Sequence, residues 1–91
     1  MLVVDDEPDI RVLLRAVLSR VPGVAVGGEA ASGEEALAML DEVGPRVVLL
    51  DQMMPGLTGL QTARRMLARE PGLRIVLFSA YLDDRIRSEA E

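Results

Sequence analysis

Apolar residues along this chain fall into two kinds of grouping, short unbroken runs and stripes at helical spacing, and the two kinds alternate. Met1–Val4, Val47–Leu50 and most of Arg74–Ala80 are unbroken runs bounded by acids, Pro or Gly. Such runs predict strands buried on both faces. Between them, Ile10, Leu13, Leu14, Val17, Leu18 and Val21 recur on one helical face, with Arg11, Arg15 and Arg20 off it. Ala36, Met39, Leu40 and Val43 form a second stripe. Leu60, Ala63 and Leu67 form a third, with Arg64, Arg65 and Arg69 expected to face water. Val24–Glu29 alternates weakly and reads as a second strand, softened by Gly27-Gly28.

The punctuation agrees with the pattern. Pro8 suits the first turn of a helix, and the acids Asp5, Asp6 and Glu7 before it suit the positive end of its dipole. Ser32 with Glu35, and Thr58 with Gln61, have the spacing of capping boxes and open the second and third helices. Pro22-Gly23, Gly44-Pro45 and Pro71-Gly72 close the three helices. Asp83 is placed to cap a fourth. The order is β-α-β-α-β-α-β, which implies right-handed crossovers and a parallel sheet with helices on both faces. There is no internal repeat, low-complexity tract or linker.

Composition narrows the chemistry. Ninety-one residues, 49% of them apolar, make one small domain whose core is Ala, Val and Leu, with one Phe, one Tyr and no Trp. The formal charge is 10 − 15 = −5, which argues against nonspecific binding of nucleic acid by this segment. All ten basic residues are Arg; Lys, His and Cys are absent. That excludes disulfides, thiolate or imidazole zinc sites, Ser-His and Cys-His pairs, and a Walker lysine. Any metal must be a hard ion held by oxygen. No apolar run approaches the roughly 20 residues of a membrane span. The start, MLVVDDEPD, turns acidic at its fifth residue and does not read as a signal peptide, so a cytoplasmic location is expected.

The carboxyl ends of parallel strands share one edge of the sheet, where ligands of open α/β folds bind. Strand one ends at Asp5-Asp6, strand three at Asp51, and strand four at Ser79-Ala80. Three carboxylates and a hydroxyl therefore converge. Each has an ordinary explanation taken singly: Asp5-Asp6-Glu7 as helix capping, Asp51 as a turn residue, Ser79 as a strand-end hydroxyl. Together, three adjacent anions repel one another and raise one another's pKa unless something compensates. With no Lys or His, a divalent cation is the natural solution, and Mg²⁺ favours one or two carboxylates with waters and a phosphoryl oxygen. Asp51 is then placed as a nucleophile toward phosphorus, giving an aspartyl phosphate.

These pieces carry a resemblance. LVVDDEP at Leu2–Pro8, VVLLDQMMPGLTGL at Val47–Leu60 and IVLFSA at Ile75–Ala80 resemble, in register along the whole chain, the receiver domain of two-component response regulators. The resemblance implies a flavodoxin-like, doubly wound sheet of strand order 2-1-3-4. It implies that Asp51 is the phosphoacceptor, charged by a sensor histidine kinase or a small phosphodonor to switch a downstream output. Asp6 is implied to bind Mg²⁺ directly, Asp5 largely through water, and Met53 through its backbone carbonyl. Ser79 matches the family's switch hydroxyl. Met53 and Tyr81 fall at variable positions that in the family tune phosphorylation and dephosphorylation.

The chain departs from the pattern at its end. A receiver has five strands and five helices, and its Lys closes strand five; this sequence stops at the start of the fourth helix and is expected to be a truncated receiver. Arg85 and Arg87 lie in the wrong segment to replace that Lys. Without a fifth strand, Ile75–Phe78 is expected to form an apolar edge prone to homodimerisation or strand swapping, and helix one to lose a neighbour. Two rival readings are a non-phosphorylated interaction module with a vestigial acidic site, and an Asp-nucleophile phosphohydrolase. The second wants an acid two residues after the nucleophile, where this chain has Met53; external turnover is not expected, and neither is direct binding of nucleic acid or membrane.

Overall fold

The computed structural model describes residues 1–78, in which four strands and three helices alternate. They are β1 (Leu2–Val4), α1 (Pro8–Leu18), β2 (Gly28–Ala30), α2 (Gly33–Val43), β3 (Val47–Asp51), α3 (Gly59–Arg69) and β4 (Arg74–Phe78). The sheet is parallel throughout, in the order β2-β1-β3-β4. Element order, strand direction and strand order are those the sequence predicts. The fourth helix and the last residues of the Arg74–Ala80 run lie outside the described residues.

The core explains why these strands read as continuous apolar runs. Leu2, Val4, Val48 and Leu50 point to one face, where Ala36 and Leu40 of α2 and Ala63 and Met66 of α3 cover them. Val3, between them in sequence, is equally buried on the other face. Two-sided burial removes the alternation that a half-exposed strand shows.

The helix starts follow the caps. Ser32 Oγ accepts the Glu35 amide at 3.0 Å. At α3 both halves of the capping box form: Thr58 Oγ1 accepts the Gln61 amide at 3.2 Å, and Gln61 Oε1 accepts the Thr58 amide at 3.0 Å. Gly44 closes α2 with φ +56°, a left-handed conformation that favours glycine.

Four boundaries and faces differ from the sequence expectation. β2 is three residues long, not six, because it pairs only alongside Leu2–Val4; before it, the Gly27 amide donates to the Met1 carbonyl at 2.9 Å and the Met1 amino group to the Ala25 carbonyl at 2.8 Å, outside the strand ladder. α1 ends at Leu18 rather than running to Val21. The Arg20 and Val21 amides bond three residues back instead of four, and Pro22 disfavours helical geometry at Val21. The inward face of α3 is Gly59, Thr62, Ala63 and Met66, while Leu60 and Leu67 are among the exposed apolar residues. Small side chains let α3 approach α2 closely, and Thr62 is buried without penalty because its hydroxyl donates to the Thr58 carbonyl at 2.8 Å. Finally, no residue of α1 is fully buried: Leu13 and Val17, on the apolar stripe of this helix, remain more than half exposed. β4 is the outermost described strand, and its Val76 and Leu77 are exposed.

Candidate functional site

The register delivers two acids side by side. Val4 pairs with Leu50, so the next residue on each strand, Asp5 and Asp51, emerges at the same carboxyl edge. The Asp5 amide continues the ladder by donating to the Ala30 carbonyl at 3.1 Å, and the Gln52 amide continues it on the other side by donating to the Phe78 carbonyl at 2.8 Å. Both acids then make the same local turn. Asp5 Oδ1 accepts the Glu7 amide at 2.8 Å, and Asp51 Oδ1 accepts the Met53 amide at 3.1 Å. Each carboxylate is thereby oriented through one oxygen, and the other has no hydrogen-bond partner among the described residues.

Asp6 completes the group. Asp5, Asp6 and Asp51 each place a carboxylate oxygen within 4.8 Å of the others. Asp5 and Asp51 are buried and Asp6 is half-buried. Burial is the main cause that pushes the Asp5 carboxyl above the ordinary carboxylate range; the Glu7 amide opposes it, and the charges of Asp51, Asp6 and Glu7 add to it. Burial likewise pushes Asp51 up, against the Met53 and Gln52 amides and reinforced by Asp6 and Glu7. Among the described residues no ion pair reaches any of the three carboxylates; the arginines that form ion pairs hold Glu29 and Asp41 instead. Oxygen donors, partial burial and uncompensated charge are the donor chemistry that a hard divalent cation fits.

A hollow of about 600 Å³ lies at the opposite end of the sheet, against Arg46, Glu70 and Arg74.

Of the residues singled out in the sequence, the structure brings Asp5, Asp6 and Asp51 together. Met53 sits beside them with its amide on Asp51 and its side chain exposed. Ser79 and Tyr81 lie outside the described residues.

Three residues that shape the site had no signal in the linear pattern. Gln52 Oε1 accepts the Leu60 amide at 2.8 Å while its carbonyl accepts the Gly59 amide at 3.1 Å, so it stitches the end of β3 to the start of α3. Glu34 Oε1 accepts the Leu57 amide at 3.0 Å, tying α2 to the loop after Asp51. Arg11 donates to the Asp5 carbonyl. Glu34→Ala is expected to cost about 1 kcal/mol, one hydrogen bond to an exposed acid. Amide exchange at Leu57 should speed up in that variant and stay unchanged in Glu34→Gln, which keeps the acceptor.

Comparison with known proteins agrees with this topology. Residues 1–91 match the family described as the response regulator receiver domain. The response regulator GacA of Pseudomonas syringae pv. syringae is 39% identical over 84 residues, which cover 92% of this chain and 39% of that protein. Among solved structures, the signal receiver domain of the putative response regulator NarL from Mycobacterium tuberculosis superposes with a TM-score of 0.80 at 39% identity, over 88% of this chain and 64% of that one. The complex of CheX, CheY, BeF₃ and Mg²⁺ from Borrelia burgdorferi matches with a TM-score of 0.79 at 27% identity, over 87% of this chain and 60% of the matched chain. The chain thus spans about two fifths of the length of the curated relative it matches.

Proposed function

The chain belongs to the receiver domain family of two-component response regulators, and from that premise we propose that Asp51 accepts a phosphoryl group from a phosphohistidine of a sensor kinase. One observation supports this reading above the others. Three carboxylate oxygens lie within 4.8 Å of one another at the strand ends, and no ion pair among the described residues offsets them.

The free oxygen of Asp51 is the nucleophile. Its lone pair forms the new O–P bond as the N–P bond of the phosphohistidine breaks, and the departing imidazole keeps the electron pair and takes up a proton. The Met53 amide holds Oδ1 and so fixes which oxygen is presented. Asp5, Asp6, Asp51 and the Met53 carbonyl would hold Mg²⁺. When bound, the ion supplies positive charge against the equatorial phosphoryl oxygens and the acids. A CheX–CheY complex crystallised with BeF₃ and Mg²⁺ is among the structural neighbours, which supports extending that chemistry here. Ser79 as the switch hydroxyl and the downstream output belong to the same reading. The exposed Val76 and Leu77 on the outermost described strand favour self-association through β4 as a secondary reading.

Acetyl phosphate and Mg²⁺ test the reading on the full-length protein by intact mass. The expected result is gain of one phosphoryl group, abolished by a chelator and by Asp51→Asn. Labelling that survives Asp51→Asn, or Mg²⁺ that fails to bind at millimolar levels, would overturn it in favour of the vestigial interaction module.

A further inference from the structure

We infer that Arg11 is a positioning residue for the metal side of the acidic site, acting through the Asp5–Asp6 peptide; the inference rests on the Mg²⁺ reading of those acids. Asp5 is held at three points. Its amide bonds the Ala30 carbonyl, its carboxylate bonds the Glu7 amide, and its carbonyl accepts Arg11 Nη1 at 2.5 Å. Only the last of these fixes the plane of the peptide that leads into Asp6. Asp6 has no hydrogen bond of its own among the described side-chain contacts, so where its carboxylate points is set by the backbone on either side. Releasing the Asp5 carbonyl frees that peptide to rotate and carries the Asp6 carboxylate away from Asp51.

Arg11 is itself anchored. Its side chain is only 18% exposed and folds back over the first turn of α1, with Nε 3.5 Å from Glu29 Oε1 on β2. Arg15 Nε occupies the other oxygen of Glu29 at 2.6 Å, yet Arg15 is half exposed and makes no contact with Asp5. The two arginines share one anion, and of the two only Arg11, the more buried, bonds the Asp5 carbonyl. That difference makes Arg15 a control for a merely structural role. Groups that orient metal ligands without touching the metal are typically worth about 10–100-fold in metal affinity.

The test compares Arg11→Met, Arg11→Lys and Arg15→Met in the full-length protein, by calorimetric Mg²⁺ titration and by amide exchange of the metal-free protein. Arg11→Met should weaken Mg²⁺ binding about 10-fold or more and speed exchange at Asp6 and Glu7. Arg11→Lys should recover part of both, since an ammonium can still donate to the carbonyl. Arg15→Met should match the wild type at Asp6, Glu7 and in Mg²⁺ affinity. Wild-type affinity in a folded Arg11→Met protein, unchanged exchange at Asp6 and Glu7, or equal weakening in Arg11→Met and Arg15→Met would overturn the inference while leaving the phosphoacceptor reading intact. A wild-type protein with no saturable Mg²⁺ binding overturns both.

Discussion

Asp51→Asn should melt at a higher temperature than the wild type when both are free of metal, although it removes the group on which the proposed function depends. The amide has the shape of the carboxylate and can still accept the Met53 amide that holds Oδ1. What it removes is the negative charge of a buried residue, 7% exposed, beside a second buried acid, Asp5. Relief of one such functional-site penalty is worth about 0.5–2 kcal/mol. In a domain this size about 1 kcal/mol raises Tm by roughly 4–8 °C. Mg²⁺ should reverse the ranking. At about 100 times its Kd an ion stabilises the wild type by about 2.7 kcal/mol, and Asp51→Asn should lose most of that response.

The pH dependence has a definite sign. Burial raises the folded-state pKa of Asp51 above its ordinary value of 3.8, so the folded state binds the proton more readily than the unfolded chain does. The stability linked to that proton is fully present below the ordinary value and is lost as pH rises through the raised one. The advantage of metal-free Asp51→Asn should therefore be largest near neutrality and shrink as pH falls toward the ordinary carboxylate range. Calorimetric scans of both proteins across that range give the difference directly, and it includes the relief of Asp5, whose carboxyl the Asp51 charge helps to raise. A metal-free Asp51→Asn protein that is no more stable than wild type at neutral pH would mean that the three carboxylates do not repel as their geometry requires.

The acids were legible in the sequence because each marks the end of an apolar run, and the parallel register aligns strand ends automatically. Strand order followed from the resemblance, and the two side-chain caps from Ser32 and Thr58. The misplaced face of α3 shows where reading by hydropathy fails. Leu60 and Leu67 are large apolar residues of that helix, yet they stay exposed, and the buried face is built from Met66 together with the smaller Gly59, Thr62 and Ala63. Close approach between elements selects small residues, and small residues carry little hydropathy signal. β2 was overlong for a different reason: its length is set by its partner β1, which no local window contains. Gln52, Glu34 and Arg11 were invisible because each acts through a backbone group 6 to 23 residues away.

The small residue at the start of α3 carries the second large effect. A Cβ built on Gly59 falls 2.5 Å from the Asp51 carbonyl oxygen, 2.7 Å from Gln52 Cα and 2.9 Å from Gln52 Oε1. Two of these three atoms are backbone, at the junction where β3 ends and the Asp51 turn begins, and the third is held by the Leu60 amide. None can retreat without moving β3, whose Gln52 amide is bonded to Phe78 of β4, or without breaking the Gly59–Gln52 bond that starts α3. Alanine's better helix propensity, about 1 kcal/mol in a helix interior, counts for less at a first helical position and does not offset the clash. Gly59→Ala should cost about 3 kcal/mol, the upper part of the range for overpacking, and lower Tm by roughly 12–24 °C. The damage should reach the site as well, because the displaced carbonyl belongs to Asp51 itself, so the surviving folded protein should bind Mg²⁺ more weakly. Gly72→Ala supplies the control: a Cβ there meets nothing within 4 Å, and its φ is not in the left-handed region. Calorimetry that finds the two variants equally stable would show that α3 can shift away from β3 without cost, and that the tight seam between them does not hold Asp51 in place.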